Sequence, residues 1–281
     1  MGDIKASDTL REWTESAPYW DQYGATICTM FAPITRALIA DAGITKGHSV
    51  LDVAGGPGEP SLTIAETVAP SGSVMCTDAV GGMVQAATRA AHRRQLTNIS
   101  FRQCTADSLP FSDDSFDVVV SRLGIMFFPD PLASLMEMLR VTKPGGALAL
   151  AVWHKSELNP FFHIVADIMS NYVEASPTEP DAPGAFRFAE PGKLANVLTK
   201  AGAISVRERV LEFDVEAPVS LKDFWQLRSA TSGTLREKLA GLTEGEVTRV
   251  ARDVIEAVQD FFPNGQMKFP AQMILVTGRK R

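Results

Sequence analysis

The sequence predicts an α/β fold built on a mostly parallel sheet, and three observations carry that prediction. Short apolar runs alternate with helical segments between residues 48 and 153, and such alternation joins parallel strands through right-handed crossovers. The runs themselves, "HSVLDVA", "SVMCTDA", "FDVVVSR" and "ALALAVW", are apolar almost throughout, as strands covered on both faces must be. The chain of 281 residues is 45% hydrophobic and 21% charged, a globular composition with enough apolar content for one large domain.

Residues 8–42 read as helix, because "APITRALIADAGI" repeats apolar residues at helical spacing and stops at Gly43, a suitable C-terminal cap. "HSVLDVA" is the first strand, and "PSLTIAETVAP" is a helix that ends ahead of Pro70 and Gly72. "SVMCTDA" is the second strand, residues 82–96 form a helix, and "ISFRQCTA" is the third strand. The turn "FSDDS" enters the fourth strand, "FDVVVSR"; the helix "PLASLMEMLRVT" is closed by "KPGG", and "ALALAVW" is the fifth strand. Past Trp153 the rhythm changes. "HKSELNPFFHIVADIMSNYVEA" reads as helix, "SPTEPDAPGAF" as a Pro-rich loop, "PGKLANVLTKAGA" as helix and "SVRERVLEFDV" as strand. Residues 219–262 are again helical, and "FPAQMILVTGRK" closes as a strand. We expect one domain over residues 1–281: N-terminal lid helices 1–47, a core 48–154, and helical insertions at about 155–188 and 219–262. These extras are expected over the carboxyl ends of the strands, where open α/β sheets bind ligands.

The net charge of −6 argues against a nucleic-acid partner, which demands a basic face. Cys28, Cys76 and Cys104 form no C-x-x-C pair and are odd in number, which speaks against a disulfide framework or a metal site and for a reducing cytoplasm. "MGDIKASDTLREWTES" is polar, lacks a signal-peptide core, and has Ala6 where a myristoylation pattern needs Ser or Thr. No apolar stretch reaches the roughly 18–20 residues of a membrane span. The expectation is a cytoplasmic protein without one. Oligomeric state leaves no mark in the sequence.

The stretch "VLDVAGGPGEPSL" carries the first chemical signal. Glycines after a strand let the backbone approach a ligand and turn into a helix N-terminus. A dinucleotide fingerprint wants G-x-G-x-x-G, but Ser61 fills the third slot and Glu59 adds negative charge; no G-K-[ST] follows, so a Walker loop is excluded. Asp78 ends the second strand, 20 residues after Gly58, where a carboxylate accepts from ribose hydroxyls. "TADSLPF" follows the third strand, and Asp107 within it suits an exocyclic amine.

Four motifs in order, "VLDVAGGPGE", "VMCTDAVGGMV", "CTADSLPFSDDSFDVVVSRLGIMFFPDP" and "LRVTKPGGALALAVW", make the chain resemble the class I S-adenosylmethionine-dependent methyltransferases, in the broad type 11-like group related to the ubiquinone/menaquinone-biosynthesis enzymes. The resemblance implies a Rossmann-like seven-stranded sheet with an antiparallel last strand, and S-adenosylmethionine as cofactor with S-adenosylhomocysteine as product. It implies backbone contacts from Ala54, Gly55 and Gly56 to the methionine part, in a loop completed by Gly58. Asp52 would reach toward the amino group, Asp78 would bind the ribose beside Ala79 and Met83, and Ala106 and Asp107 would frame the adenine. Ser121 and Arg122 would lie under the sulfonium. Ala54 stands where the family has Gly, a change tolerated if its φ is negative. "APYWDQYG" places Tyr19, Trp20 and Tyr23 together, with Trp20 and Tyr23 expected against the cofactor and Tyr19 against substrate.

Methyl transfer from a sulfonium needs alignment and a dry pocket, and for some acceptors a base. Among four histidines, His154 follows the fifth strand on the ligand side and is the candidate for deprotonation or substrate binding. Quinone C-methyltransferases carry "FGIRN" where this chain has "LGIMFFPDP"; Met126 in place of the Arg puts quinone ring methylation in doubt. Met126, Phe127, Trp153 and Phe161 form an apolar mouth suited to a small hydrophobic or aromatic acceptor. "SRLG" replaces the D/N-P-P-Y motif of base-amino DNA methyltransferases. Two alternatives stay open: an NAD(P)-dependent oxidoreductase on the same layers, and a non-catalytic scaffold that has kept the cofactor fold.

Overall fold

The structure, a computed structural model, describes residues 2–174 and 181–281, with side chains from Asp8 onward; part of the Pro-rich loop expected at 176–186 lies outside the described residues. Seven strands form one sheet: β1 (Ser49–Val53), β2 (Ser73–Asp78), β3 (Ile99–Gln103), β4 (Phe116–Arg122), β5 (Thr142–Trp153), β6 (Ile204–Ala217) and β7 (Met267–Arg279). Their spatial order is β3-β2-β1-β4-β5-β7-β6. Neighbours from β3 to β5 pair in parallel, while β7 runs antiparallel to both β5 and β6. The antiparallel last strand implied by the family resemblance is present. The chain winds outward from β1 to β3 and then returns to β4, so the order reverses between β1 and β4. A doubly wound sheet opens its ligand crevice at that point, beyond the strands' carboxyl ends.

Ten helices accompany the sheet among the described residues: α1 (Gly2–Gln22), α2 (Gly24–Ala42), α3 (Ser61–Val68), α4 (Gly81–Arg93), α5 (Pro131–Val141), α6 (Pro160–Ser170), α7 (Lys193–Lys200), α8 (Leu221–Thr231), α9 (Gly233–Ala240) and α10 (Glu244–Val258). The expected helix over 8–42 is two helices, broken at Tyr23, because Gly24 follows and weakens the ladder there. Gly43 caps α2 in the left-handed conformation at φ 66°. By length and composition α2 could cross a membrane, which corrects the reading that no segment qualifies. Its buried side chains, Ile27, Met30, Phe31, Ile34 and Leu38, instead form part of the core, and the helix packs against β4, β5 and β6 of its own sheet. It is a core helix.

The helix expected from residue 154 begins six residues later. Pro160 is disfavoured in a helix interior but suits the first turn, and a short 3-10 turn, Ser156–Leu158, precedes α6. "KPGG", read as a turn, is absorbed into β5, with Gly145 at φ 75° and a register shift against β4 between Phe116 and Val118. Beside the sheet, Phe269 of β7 is fully buried. Its ring lies 5.3 Å from Phe224, 4.6 Å from Phe261, 5.9 Å from Phe262 and 5.6 Å from Phe161. This aromatic cluster fixes α6 and α8 over the end of the sheet.

Candidate functional site

One cavity of about 850 Å³ lies over the carboxyl ends of β1, β2, β4 and β5. One end is built from polar and thin elements. The loop after β1 contributes Ala54, Gly55 and Gly56; the end of β2 contributes Asp78 and Ala79, α4 contributes Met83, and the loop after β3 contributes Ala106 and Asp107. The other end is apolar and aromatic: Trp20 of α1, Phe31 of α2, Met126, Phe127, Trp153 and Phe161.

Asp78 is oriented by the backbone around it. One carboxylate oxygen accepts from the Gly56 N–H at 3.0 Å, the other from the Val80 N–H at 2.9 Å. Burial raises its pKa, and the amide bonds oppose that shift. Each oxygen keeps a further lone pair for hydroxyl donors. Gly56 sits at φ 56°, and a Cβ built on it would meet no protein atom within 4 Å, so the bare backbone borders open space. Asp107 is exposed at the rim. Together these groups fit a nucleoside cofactor: a carboxylate for the ribose, an acceptor for an exocyclic amine, and apolar side chains at Ala79, Met83 and Ala106.

Ala54 departs from its expected backbone. Its φ is +60° rather than negative, because the loop must double back after β1; the left-handed conformation costs a non-glycine residue about 1–2 kcal/mol. Glu59 does not aim charge at the cofactor end unopposed, since Arg94 pairs with it at 2.7 Å. Arg122 is buried and donates to the Glu59 carbonyl and the Thr35 hydroxyl, both at 2.9 Å. It thereby ties β4 and α2 to the glycine loop while lining the cavity.

Six expected site residues stand outside the described cavity lining. Asp52 is wholly buried and bonds the Ser61 hydroxyl at 2.6 Å, joining β1 to α3. Gly58, at φ 121°, turns the chain into α3 with the Leu62 side chain and the Ala87 backbone against it. Ser121 is buried, and its hydroxyl has no partner among the described residues. Tyr23 occupies the α1–α2 break, and Tyr19 lies under the Arg236 guanidinium at 4.6 Å. His154 is buried; its Nδ1 accepts from the Lys155 N–H at 2.7 Å, and its carbonyl accepts from Asn159. Trp153 faces the cavity, and in extended chain the next side chain turns away. His154 therefore stands outside the described cavity lining, and the geometry gives no support to a role as base or substrate contact. His154→Gln is expected to leave kcat within about twofold of the parent across pH, as a steady-state pH profile would register.

Asp52 makes a separate, measurable contribution. Burial pushes its carboxyl from 3.8 up to about 7, against the Ser61 hydrogen bond and the Arg122 charge. The folded state therefore holds a proton that the unfolded chain has released. The stabilisation is full below about pH 4 and is lost as pH rises to about 7, by on the order of 4 kcal/mol. Asp52→Asn, which cannot ionise, is expected to lack this loss. Urea denaturation of both proteins at pH 5 and pH 8 reads the difference, and parallel pH curves would contradict it.

Several cavity residues escaped the sequence reading. Trp13 packs edge-on to Phe127 at 5.0 Å and to Trp20 at 5.5 Å. Trp20 donates its indole N–H to the Thr231 carbonyl at 3.1 Å, and Arg236 donates to Ser16 at 2.6 Å, so α1 is fastened to α8 and α9 above the cavity. Arg228 of α8 lines it as well. Its signal was present in the sequence: Phe224, Leu227 and Arg228 form one helical stripe, with a cation where an apolar residue belongs.

A doubly wound sheet with its crevice at the switch point, a ribose-height acid and a glycine loop define a class: enzymes that bind a nucleoside cofactor at this rim. The methyltransferase-domain family model matches residues 44–210, and the chain belongs to that family, of the class I S-adenosylmethionine-dependent type. It is 36% identical over 123 residues to a ubiquinone/menaquinone biosynthesis C-methyltransferase of Pseudoalteromonas translucida, covering 43% of this chain and 49% of that one. An uncharacterized protein of Mycobacterium tuberculosis is 40% identical over 124 residues, 44% of each chain. The chain thus matches less than half the length of these curated relatives. Among solved structures, the YcgJ protein of Bacillus subtilis superposes with TM-score 0.56 at 21% identity, over 88% of this chain and 97% of that one. The [4+2]-cyclase SpnF does so with TM-score 0.50 at 21% identity, over 88% and 79%. These likenesses show the fold alone.

Proposed function

We propose that this protein transfers a methyl group from S-adenosylmethionine to a small hydrophobic or aromatic molecule. The observation that carries the proposal is one continuous cavity, whose polar end fits a nucleoside and whose other end is apolar and aromatic. The cofactor, when bound, supplies an electrophilic methyl group on a sulfonium. Asp78 would accept from the ribose hydroxyls, Asp107 from the adenine amine, and the backbone of Ala54, Gly55 and Gly56 would lie along the methionine part. Asp52, one layer behind, holds that loop's base through Ser61. Met126, Phe127, Trp153 and Phe161 would hold the acceptor's body and keep water away, and Trp20 covers the cavity from α1. Alignment and desolvation are then what the protein contributes to an in-line displacement.

Calorimetry with S-adenosylhomocysteine and NAD(P) tests the donor end. Binding of the first without heat from the second is expected; the reverse would replace the reading with a nicotinamide enzyme. A panel of aromatic and aliphatic acceptors, followed by mass spectrometry for a gain of one methyl, tests turnover. Donor binding with no methylated product from any acceptor would favour the scaffold reading.

A further inference from the structure

Resting on that reading of the cavity, we propose that the acceptor carries an oxyanion, a carboxylate or a phosphate, on an apolar body, and that Arg228 binds it. Arg228 projects from α8 into the cavity lining and is 7% exposed. Among the described residues it makes no hydrogen bond and no ion pair, and its Nε is buried without a partner. Its neighbours are rings: the guanidinium carbon lies 4.4 Å from the Phe161 centroid and 5.1 Å from that of Phe162. Ring faces attract a cation, but they offset only part of its desolvation and accept none of its five N–H donors in the plane of the fork.

Of the other charges at the cavity, Arg93 and Asp107 are exposed to solvent at its edge and the rest are engaged. Arg122 spends its two terminal nitrogens on Thr35 and Glu59, and Arg94 pairs with Glu59. Asp21 pairs with Arg89 at 2.7 Å, Glu12 contacts the Thr234 hydroxyl at 3.3 Å, and Asp78 accepts from two backbone amides. Burial alone moves the Arg228 pKa down, to about 10, so the group is still a cation at neutral pH. What remains is a dry, charged, planar fork beside Phe161, Phe162 and Trp153, the last two with ring centroids 4.8 Å apart. Guanidinium forks pair bidentately with carboxylates and phosphates. An aromatic or aliphatic acid entering here would satisfy Arg228 and lay its body on the rings.

The test uses 3-phenylpropanoate, phenyl phosphate and the neutral 3-phenylpropanamide, titrated calorimetrically into the parent, Arg228→Met and Arg228→Lys. We expect at least one anionic probe to bind the parent about tenfold or more tighter than the amide. Arg228→Met should abolish the preference and Arg228→Lys restore part of it. Whichever anion wins distinguishes a carboxylate from a phosphate acceptor. Equal binding of acid and amide, no binding of any probe, or an undiminished preference in Arg228→Met would overturn the proposal. S-adenosylhomocysteine is titrated in parallel: an acid preference without donor binding supports the Arg228 site and refutes the donor reading instead.

Discussion

Asp78→Ala is expected to weaken S-adenosylhomocysteine binding roughly a hundred- to ten-thousandfold. Hydrogen bonds to a charged group contribute about 1.5–3 kcal/mol each, the two ribose hydroxyls offer two of them, and each 1.4 kcal/mol is about tenfold. The same substitution frees the Gly56 and Val80 amides that the carboxylate holds, so the glycine loop loses its tie to the start of α4. Asp78→Asn is no rescue, because its amide nitrogen would face one of those N–H donors. Calorimetry measures the loss, with circular dichroism to confirm that the sheet is intact. An affinity within about threefold of the parent would remove the foundation of the cofactor assignment.

Phe269→Ala is expected to cost about 3–5 kcal/mol of stability, the range for deleting a buried aromatic side chain and leaving its cavity. The ring is fully buried and contacts four others, drawn from α6, α8 and the turn after α10. No single neighbour can collapse into the space without abandoning its own partners. Guanidinium denaturation should show a lower midpoint at unchanged slope; a loss under about 1 kcal/mol would mean that the cluster repacks.

The sheet was legible because doubly buried strands announce themselves as apolar runs, and because Asp78 and the glycines sit at strand ends where the chain must turn. The same double burial hid which strand residues face ligand. In β1 and β4 both faces are covered, so "VLDV" and "VVVSR" carry no alternation to separate Asp52 and Ser121 from cavity positions. His154 was placed by its proximity to Trp153, when adjacency in extended chain argues for opposite directions. Tyr19 is adjacent to Trp20 and so points off its face, while Tyr23, at i+3, sits at the break between α1 and α2 and outside the cavity lining. Arg228 lay in a region read only as helix, where a cation on the apolar stripe was the available clue.

The left-handed Ala54 has an evolutionary consequence. Its methyl occupies space that a Cβ on Gly124 would enter, at 2.7 Å. The two positions share room for one methyl group, so substitutions at them are coupled. Gly124 is at φ −93°, a conformation open to any residue, and its smallness is imposed from across the loop. A lineage that first changes position 54 to glycine removes that obstruction, although the Ser121 hydroxyl must still rotate aside. A lineage that enlarges position 124 first meets the collision. The order of substitution, rather than either substitution alone, governs which path selection permits.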